Sequence, residues 1–124
     1  MALPVLICDD SSFARKQMKR ALPEGWDIEV TFATNGLEGL EAIRQGKGEV
    51  VFLDLTMPEM DGYGVLENIR KEDLNAMIIV VSGDIQPDAQ ARVKSLGAMA
   101  FVKKPIDKEK ATQILTEFGI LSDT

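Results

Sequence analysis

The chain contains no histidine and only one cysteine. The first absence removes Ser-His and Cys-His nucleophilic catalysis and most zinc sites, all of which depend on an imidazole. The second removes any internal disulfide. Cys8 lies inside an apolar run and reads as a small buried hydrophobe, suited to a reducing compartment. No apolar stretch approaches the roughly 20 residues needed to cross a bilayer. Just two residues, Met1 and Ala2, precede the first apolar run, which leaves no room for a signal peptide. A cytoplasmic protein without a membrane partner is therefore expected. Acid–base or metal chemistry must fall to carboxylates, hydroxyls and lysines.

The bulk composition is that of an ordinary folded protein, 45% apolar and 27% charged, and 124 residues suit one domain with one core. Fourteen basic residues against twenty acidic ones leave a net charge of −6. That balance argues against a nucleic-acid backbone or an anionic membrane as a partner.

Short apolar runs alternate with helical periods along the chain. Val5–Cys8 is a first strand, ending at Asp9-Asp10. Phe13, Ala14, Met18, Ala21 and Leu22 follow at helical spacing after a cap at Ser11 or Ser12, and Pro23-Glu24-Gly25 stops that helix. Ile28, Val30 and Phe32 alternate with Glu29 and Thr31, a half-wet strand expected at a sheet edge. Asn35 with Glu38 resembles a capping box, and Leu37, Leu40 and Ile43 mark the helix that runs to Gly46. Val50–Leu53 and Met77–Val81 are apolar throughout, as central parallel strands are. They end at Asp54 and Ser82, and a helix with Val65, Leu66 and Ile69 lies between them. Pro87-Asp88 opens a fourth helix with Ala89, Val93 and Leu96, ended by Gly97. Phe101-Val102 lies in a fifth strand ending at Lys103-Lys104-Pro105. Asp107 caps a last helix with Ala111, Ile114, Leu115 and Phe118, closed by Gly119.

Five strands alternating with five helices predict an α/β fold, a doubly wound parallel sheet in the order 2-1-3-4-5. Ligands of such sheets bind beyond the carboxyl ends of the strands, at the switch point between strands one and three. Asp9, Asp10, Asp54, Ser82 and Lys104 all fall on that rim. Singly, each has an ordinary role: acids cap helices and form turns, a serine caps, a lysine faces solvent. Together, at the same end of four different strands, they predict a site. Three adjacent carboxylates repel one another, and one lysine does not neutralise them. All-oxygen donors select a hard cation, so Mg2+ is expected. Asp54 is then a candidate nucleophile for phosphoryl transfer, with Lys104 and the cation neutralising charge and Ser82 bonding a phosphoryl oxygen.

At these residues the sequence resembles response-regulator receiver domains, in particular the stand-alone chemotaxis, CheY-like type. The matching pieces are Asp9-Asp10, Asp54-Leu55-Thr56-Met57-Pro58 with Met60-Asp61-Gly62, Val81-Ser82-Gly83 and Lys104-Pro105, and the match runs from about Leu3 to Phe118. The resemblance implies a flavodoxin-like (βα)5 receiver over residues 1–124 that takes a phosphoryl group on Asp54. Its chemistry would be confined to self-phosphorylation and self-dephosphorylation. Asp10 and Asp54 would bind Mg2+ directly, Thr56 through its backbone carbonyl and Asp9 largely through water. Ser82 would be the switch hydroxyl and Lys104 the phosphoryl-binding lysine, with a cis bond before Pro105. Phe101 would report the switch by its rotamer, and the face of helix four, strand five and helix five would control a partner. With no histidine of its own, the chain would need a histidine kinase or phosphotransfer protein as donor. A downstream protein or an output domain would read the signal, in two-component signalling of the chemotaxis type. A monomer is expected, with dimerisation on activation left open.

Departures from the commonest pattern are Phe101, where tyrosine is frequent, and Thr56, where the chemotaxis proteins often have asparagine. Gly83 and Asp84 flank the expected phosphoryl position and should tune its lifetime. Two rival readings remain. An aspartyl-nucleophile phosphatase of the haloacid dehalogenase type would favour a second Asp at position 56. A flavodoxin-like binding module without phosphorylation would not place Asp9-Asp10 beside a phosphate loop. The short tail also allows an N-terminal receiver followed by an output domain beyond Thr124.

Overall fold

The computed structural model describes residues 2–83 and 86–121. Asp84, expected beside the phosphoryl position, lies outside them. The elements run β1 (Leu3–Cys8), α1 (Ser12–Ala21), β2 (Ile28–Ala33), α2 (Gly36–Arg44), β3 (Val50–Leu53), α3 (Gly62–Lys71), β4 (Met77–Ser82), α4 (Pro87–Ser95), β5 (Ala100–Lys103) and α5 (Lys108–Glu117). All pairings are parallel, in the order β2-β1-β3-β4-β5. This is the expected fold, with the alternating strand at an edge and the fully apolar runs inside.

Alternation along each inner strand divides the core into two layers. Val5, Ile7, Val50, Phe52, Ile79 and Val81 point to the layer completed by α1 and α5. Leu6, Cys8, Val51, Leu53, Ile78 and Val80 point to the layer completed by α2, α3 and α4. Each such side chain contributes about 1.5–3 kcal/mol when fully buried. Both faces of β1, β3 and β4 are covered, which is why their sequences read as continuous apolar runs.

Four helices start on side-chain caps: Ser11, Asn35, Asp61 and Asp107 accept from the amides of Ala14, Glu38, Gly64 and Lys110. Gly46 and Gly97, with φ of 80° and 102°, take the left-handed conformation that ends α2 and α4. The capping box at α2 is displaced by one residue. Glu38 accepts from the amide and hydroxyl of Thr34, both at 2.7 Å, rather than from Asn35. Helix α2 also approaches its neighbours closely, since a Cβ at Gly36 would sit 2.0 Å from the Met60 carbonyl oxygen and one at Gly39 would sit 2.7 Å from the Cys8 sulfur.

Four expected core residues face solvent instead. Phe13 is 68% exposed, Leu37 49%, Phe32 43% and Phe118 42%. Phe13, Leu37 and Phe118 lie at the ends of helices, where the spacing continues but the sheet no longer lies beneath. Phe32 follows the parity of Ile28 and Val30, but it stands near the carboxyl end of the edge strand. There α1 offers cations, with Arg15 and Lys19 at 6.0 and 5.9 Å from its ring. No described helix is long and apolar enough to cross a membrane.

Candidate functional site

The main-chain ladder continues one residue past the strands and fixes the rim. The Asp9 amide donates to the Ala33 carbonyl at 3.1 Å, the Asp54 amide to Cys8 at 3.0 Å, and the Lys104 amide to Ser82 at 2.9 Å. Parallel strands in register therefore deliver their terminal side chains to one place. Asp9 and Asp54 are buried, as is Ser82, while Asp10 is exposed. Asp9, Asp10 and Asp54 each offer a carboxylate oxygen within 4.8 Å of the others.

Lys104 reaches into this cluster from the end of β5. Its Nζ lies 2.7 Å from Asp9 Oδ2 and 3.3 Å from Asp54 Oδ1. Asp9 is further tied by the Ser11 amide at 2.9 Å, and Arg15 donates to the Asp9 carbonyl at 2.9 Å. The Thr56 amide bonds Asp54. Burial pushes the Asp54 carboxyl above its ordinary range and the Asp9 charge adds to this, against the partial opposition of Lys104. Burial works against the Lys104 ammonium, but the bond to Asp9 and the two acidic charges outweigh it and hold its pKa above that of a free lysine. One ammonium thus faces three carboxylates. An all-oxygen set with excess negative charge, one acid still open to solvent, fits a hard divalent cation such as Mg2+.

Ser82 is the last residue of β4, on the far side of β3 from the acid pair. It lines a cleft of about 270 Å3 with Leu55, Thr56, Met57, Asp61 and Tyr63. Phe101 is half-buried against the α2–α3–α4 layer and lines a groove of about 180 Å3 with Gln90, Val93, Lys94 and Ala98. The packing role and an exposed edge coexist there. The Lys104–Pro105 bond is cis. Cys8 lies beneath the site, with its sulfur 3.4 Å from both the Asn35 carbonyl and the Met57 sulfur. Burial and the nearby acids push its thiol up to about 12.

The structure brings Asp9, Asp10, Asp54 and Lys104 together, and Ser82 ends β4 on the same rim in the cleft that Thr56 also lines. Sequence reasoning missed Arg15, which holds the Asp9 turn, and the pair Tyr63 and Arg92. The Arg92 guanidinium carbon stands 3.9 Å above the Tyr63 ring, and Arg92 also pairs with Glu67 at 3.7 Å. The one available signal was that Tyr63, the sole tyrosine, follows the quoted Asp61-Gly62.

A model of the response regulator receiver domain matches residues 5–116. The chemotaxis protein CheY of Thermotoga maritima is 35% identical over 118 residues, covering 94% of this chain and 98% of that protein. A protein-glutamate methylesterase/protein-glutamine glutaminase of Geobacter sulfurreducens is 36% identical over 113 residues, covering 90% of this chain and 30% of that protein. Among solved structures, the CheX–CheY–BeF3–Mg2+ complex of Borrelia burgdorferi superposes with a TM-score of 0.83 at 32% identity, covering 92% of this chain and 87% of that chain.

Proposed function

The chain belongs to the response regulator receiver domain family, and from that premise we propose that it is a switch turned on by phosphorylation of Asp54. The observation that carries this reading is the convergence of Asp54 with Asp9, Asp10 and the Lys104 ammonium on one rim. Asp10 and Asp54 would hold Mg2+ directly, Thr56 through its carbonyl and Asp9 through water. Bound there, the ion supplies positive charge against the oxygens of the transferring group. A relative of known structure carries both BeF3 and Mg2+ in its complex with CheX, which supports an anion and a cation at this rim and a protein partner.

Phosphoryl transfer needs positioning and charge neutralisation more than a strong base. A carboxylate oxygen of Asp54 forms the bond to phosphorus as the donor bond breaks. The donor is a phosphohistidine of a kinase or phosphotransfer protein, since this chain has no histidine. The new group adds about −1.5 to −2 charge at Asp54. Lys104, 3.3 Å from Asp54 before the reaction, then pairs with a phosphoryl oxygen, and the Ser82 hydroxyl donates to another. Phe101 turns inward, and the face of α4, β5 and α5 changes shape for a downstream protein that prefers it. The shift is limited by that partner's differential affinity for the two states. Similarity to chemotaxis proteins supports a role in chemotaxis signalling, and the switch would act in the cytoplasm with no reaction beyond self-phosphorylation and self-dephosphorylation.

The test is intact mass after incubation with acetyl phosphate and Mg2+. Wild type gains one phosphoryl group and Asp54→Asn gains none. A gain in both, or in neither, sinks the assignment of Asp54.

A further inference from the structure

Strand β2 is an open edge of the sheet, and among the described residues β1 alone pairs with it. The carbonyls of Asp27 and Ala33 accept from the Leu3 and Asp9 amides, so these residues face β1. By the alternation of a strand, Ile28, Val30 and Phe32 turn their amides and carbonyls outward. A groove flanks this edge on each face of the sheet. On the α1 face it measures about 540 Å3 and is lined by Lys16, Lys19, Arg20 and Phe32. On the α2 face it measures about 500 Å3 and includes Thr31, Leu37, Glu38, Glu41 and Ala42. Phe32 and Leu37 are both exposed and leave apolar surface along the edge.

The two faces differ in charge. Helix α1 carries Arg15, Lys16, Lys19 and Arg20 and no acidic residue, within a chain whose net charge is −6. Arg15 is engaged with the Asp9 carbonyl. Lys16, Lys19 and Arg20 are spaced to share one helix face. All three are exposed, and none has a carboxylate partner among the described residues. On the other side Glu38 and Glu41 border the apolar surface of Leu37.

We propose that the β2 edge is a docking site for an extended acidic segment of a partner protein, which joins the sheet as an added strand. Main-chain bonds to Ile28, Val30 and Phe32 give affinity, and the two grooves read alternate side chains. Acidic side chains fall on the α1 face, against Lys16, Lys19 and Arg20. The side chains between them fall on the α2 face, where Glu38 and Glu41 repel acids and Leu37 accepts apolar groups. The partner segment therefore alternates acidic and apolar residues. A second copy of this chain fits poorly. Two-fold antiparallel pairing of β2 strands would lay α1 beside α1, with the unpaired cations of both copies on one face. Those cations guard the edge against self-pairing and leave it open to an acid-rich strand.

The test titrates isotope-labelled protein with a peptide of about eight residues that alternates glutamate and valine, followed by amide NMR shifts. The Ile28, Val30 and Phe32 amides should move most, and affinity should fall as salt rises. A peptide of the same composition in two blocks, glutamates then valines, should bind about tenfold more weakly. Lys16→Glu combined with Lys19→Glu should weaken the alternating peptide by about the same tenfold. The spectrum of that variant reports its folding directly, and Arg20→Glu supplies a second charge reversal on the same face. Equal affinity for the two peptides would reduce the surface to charge attraction and overturn the added strand. So would shifts centred on another element, or no shifts at millimolar peptide. A single-stranded oligonucleotide that moves the same amides and displaces the peptide would assign the surface to nucleic acid. Shifts that grow with protein concentration alone would assign it to a second copy, and either result overturns the proposal.

Discussion

Helix α3 begins on a cap in which Asp61 accepts from the Gly64 amide at 2.9 Å, and it buries Gly62, Val65, Leu66 and Ile69. Helix α4, which follows the next strand, has Gln86 at its cap position without a side-chain capping hydrogen bond, and buries Ala89 and Val93. The two helices leave the same rim of the sheet. The first anchors the loop that follows Asp54, the proposed phosphoacceptor; the Gly62 amide reaches back to the Leu55 carbonyl at 3.0 Å. The second carries the groove beside Phe101 and rests on fewer buried atoms. Elements that move in a switch are drawn from the less stable part of a fold. Under the proposed switch, α3 would hold the fixed chemistry and α4 would carry the response.

The largest test of that contrast is in the core. Leu66→Ala should destabilise the fold by about 3 kcal/mol, within the roughly 2–5 kcal/mol seen for buried leucines, by urea denaturation. Val93→Ala should cost clearly less, and equal costs would erase the distinction. Next is the cation. Mg2+ at a hundredfold excess over its dissociation constant should stabilise wild type by about 2.7 kcal/mol in a thermal melt. Asp10→Asn should abolish most of that gain, and no dependence on Mg2+ would count against the site. Without metal, Asp54→Asn should itself raise the melting temperature at neutral pH. The folded-state pKa of Asp54 is raised, so ionising it costs stability as pH rises through that value. The advantage of the asparagine should therefore vanish once the pH falls below the ordinary carboxylate range, near about 3.9. A variant that melts lower than wild type at neutral pH would reverse the sign.

Smaller effects probe the ends of the helices. Asp61→Ala removes a cap and should cost about 1 kcal/mol. Arg92→Ala removes an exposed cation–π contact and a long ion pair, and should cost about 0.5 kcal/mol in equilibrium denaturation. Its larger effect should be on hydrogen exchange, with α4 amides opening faster and α3 amides unchanged. Equal acceleration in both helices would show that Arg92 does not hold α4 separately.

Much of this was legible in the sequence because parallel strands convert order into position. Once Val50–Leu53 and Met77–Val81 read as central, the residues after them had to share a rim, and Asp54 and Ser82 do. Caps at Ser11, Asn35 and Asp107 were readable because they depend on three or four consecutive residues, whereas the Asp61 cap was read only as part of a loop. What failed was the assignment of apolar residues near the ends of elements. Periodicity gives the phase of Phe13, Leu37 and Phe118 but not where the neighbouring layer stops. Phe32 illustrates the same limit on a strand, where the parity is right and the covering helix offers lysine and arginine instead of an apolar side chain. The Tyr63–Arg92 stack joins two helices across a strand, and no local pattern announces such a contact.

The buried Cys8 makes the protein a convenient chassis for spectroscopy. With its thiol pushed up to about 12, the thiolate is scarce at neutral pH, and the sulfur is walled in by Gly39 and Met57. Alkylating dyes should pass it by. A cysteine introduced at an exposed position of α4, such as Ala91→Cys, would then carry a single fluorophore without removal of the native residue. Displacement of that helix on phosphorylation could be followed by one reporter on an otherwise unlabelled chain.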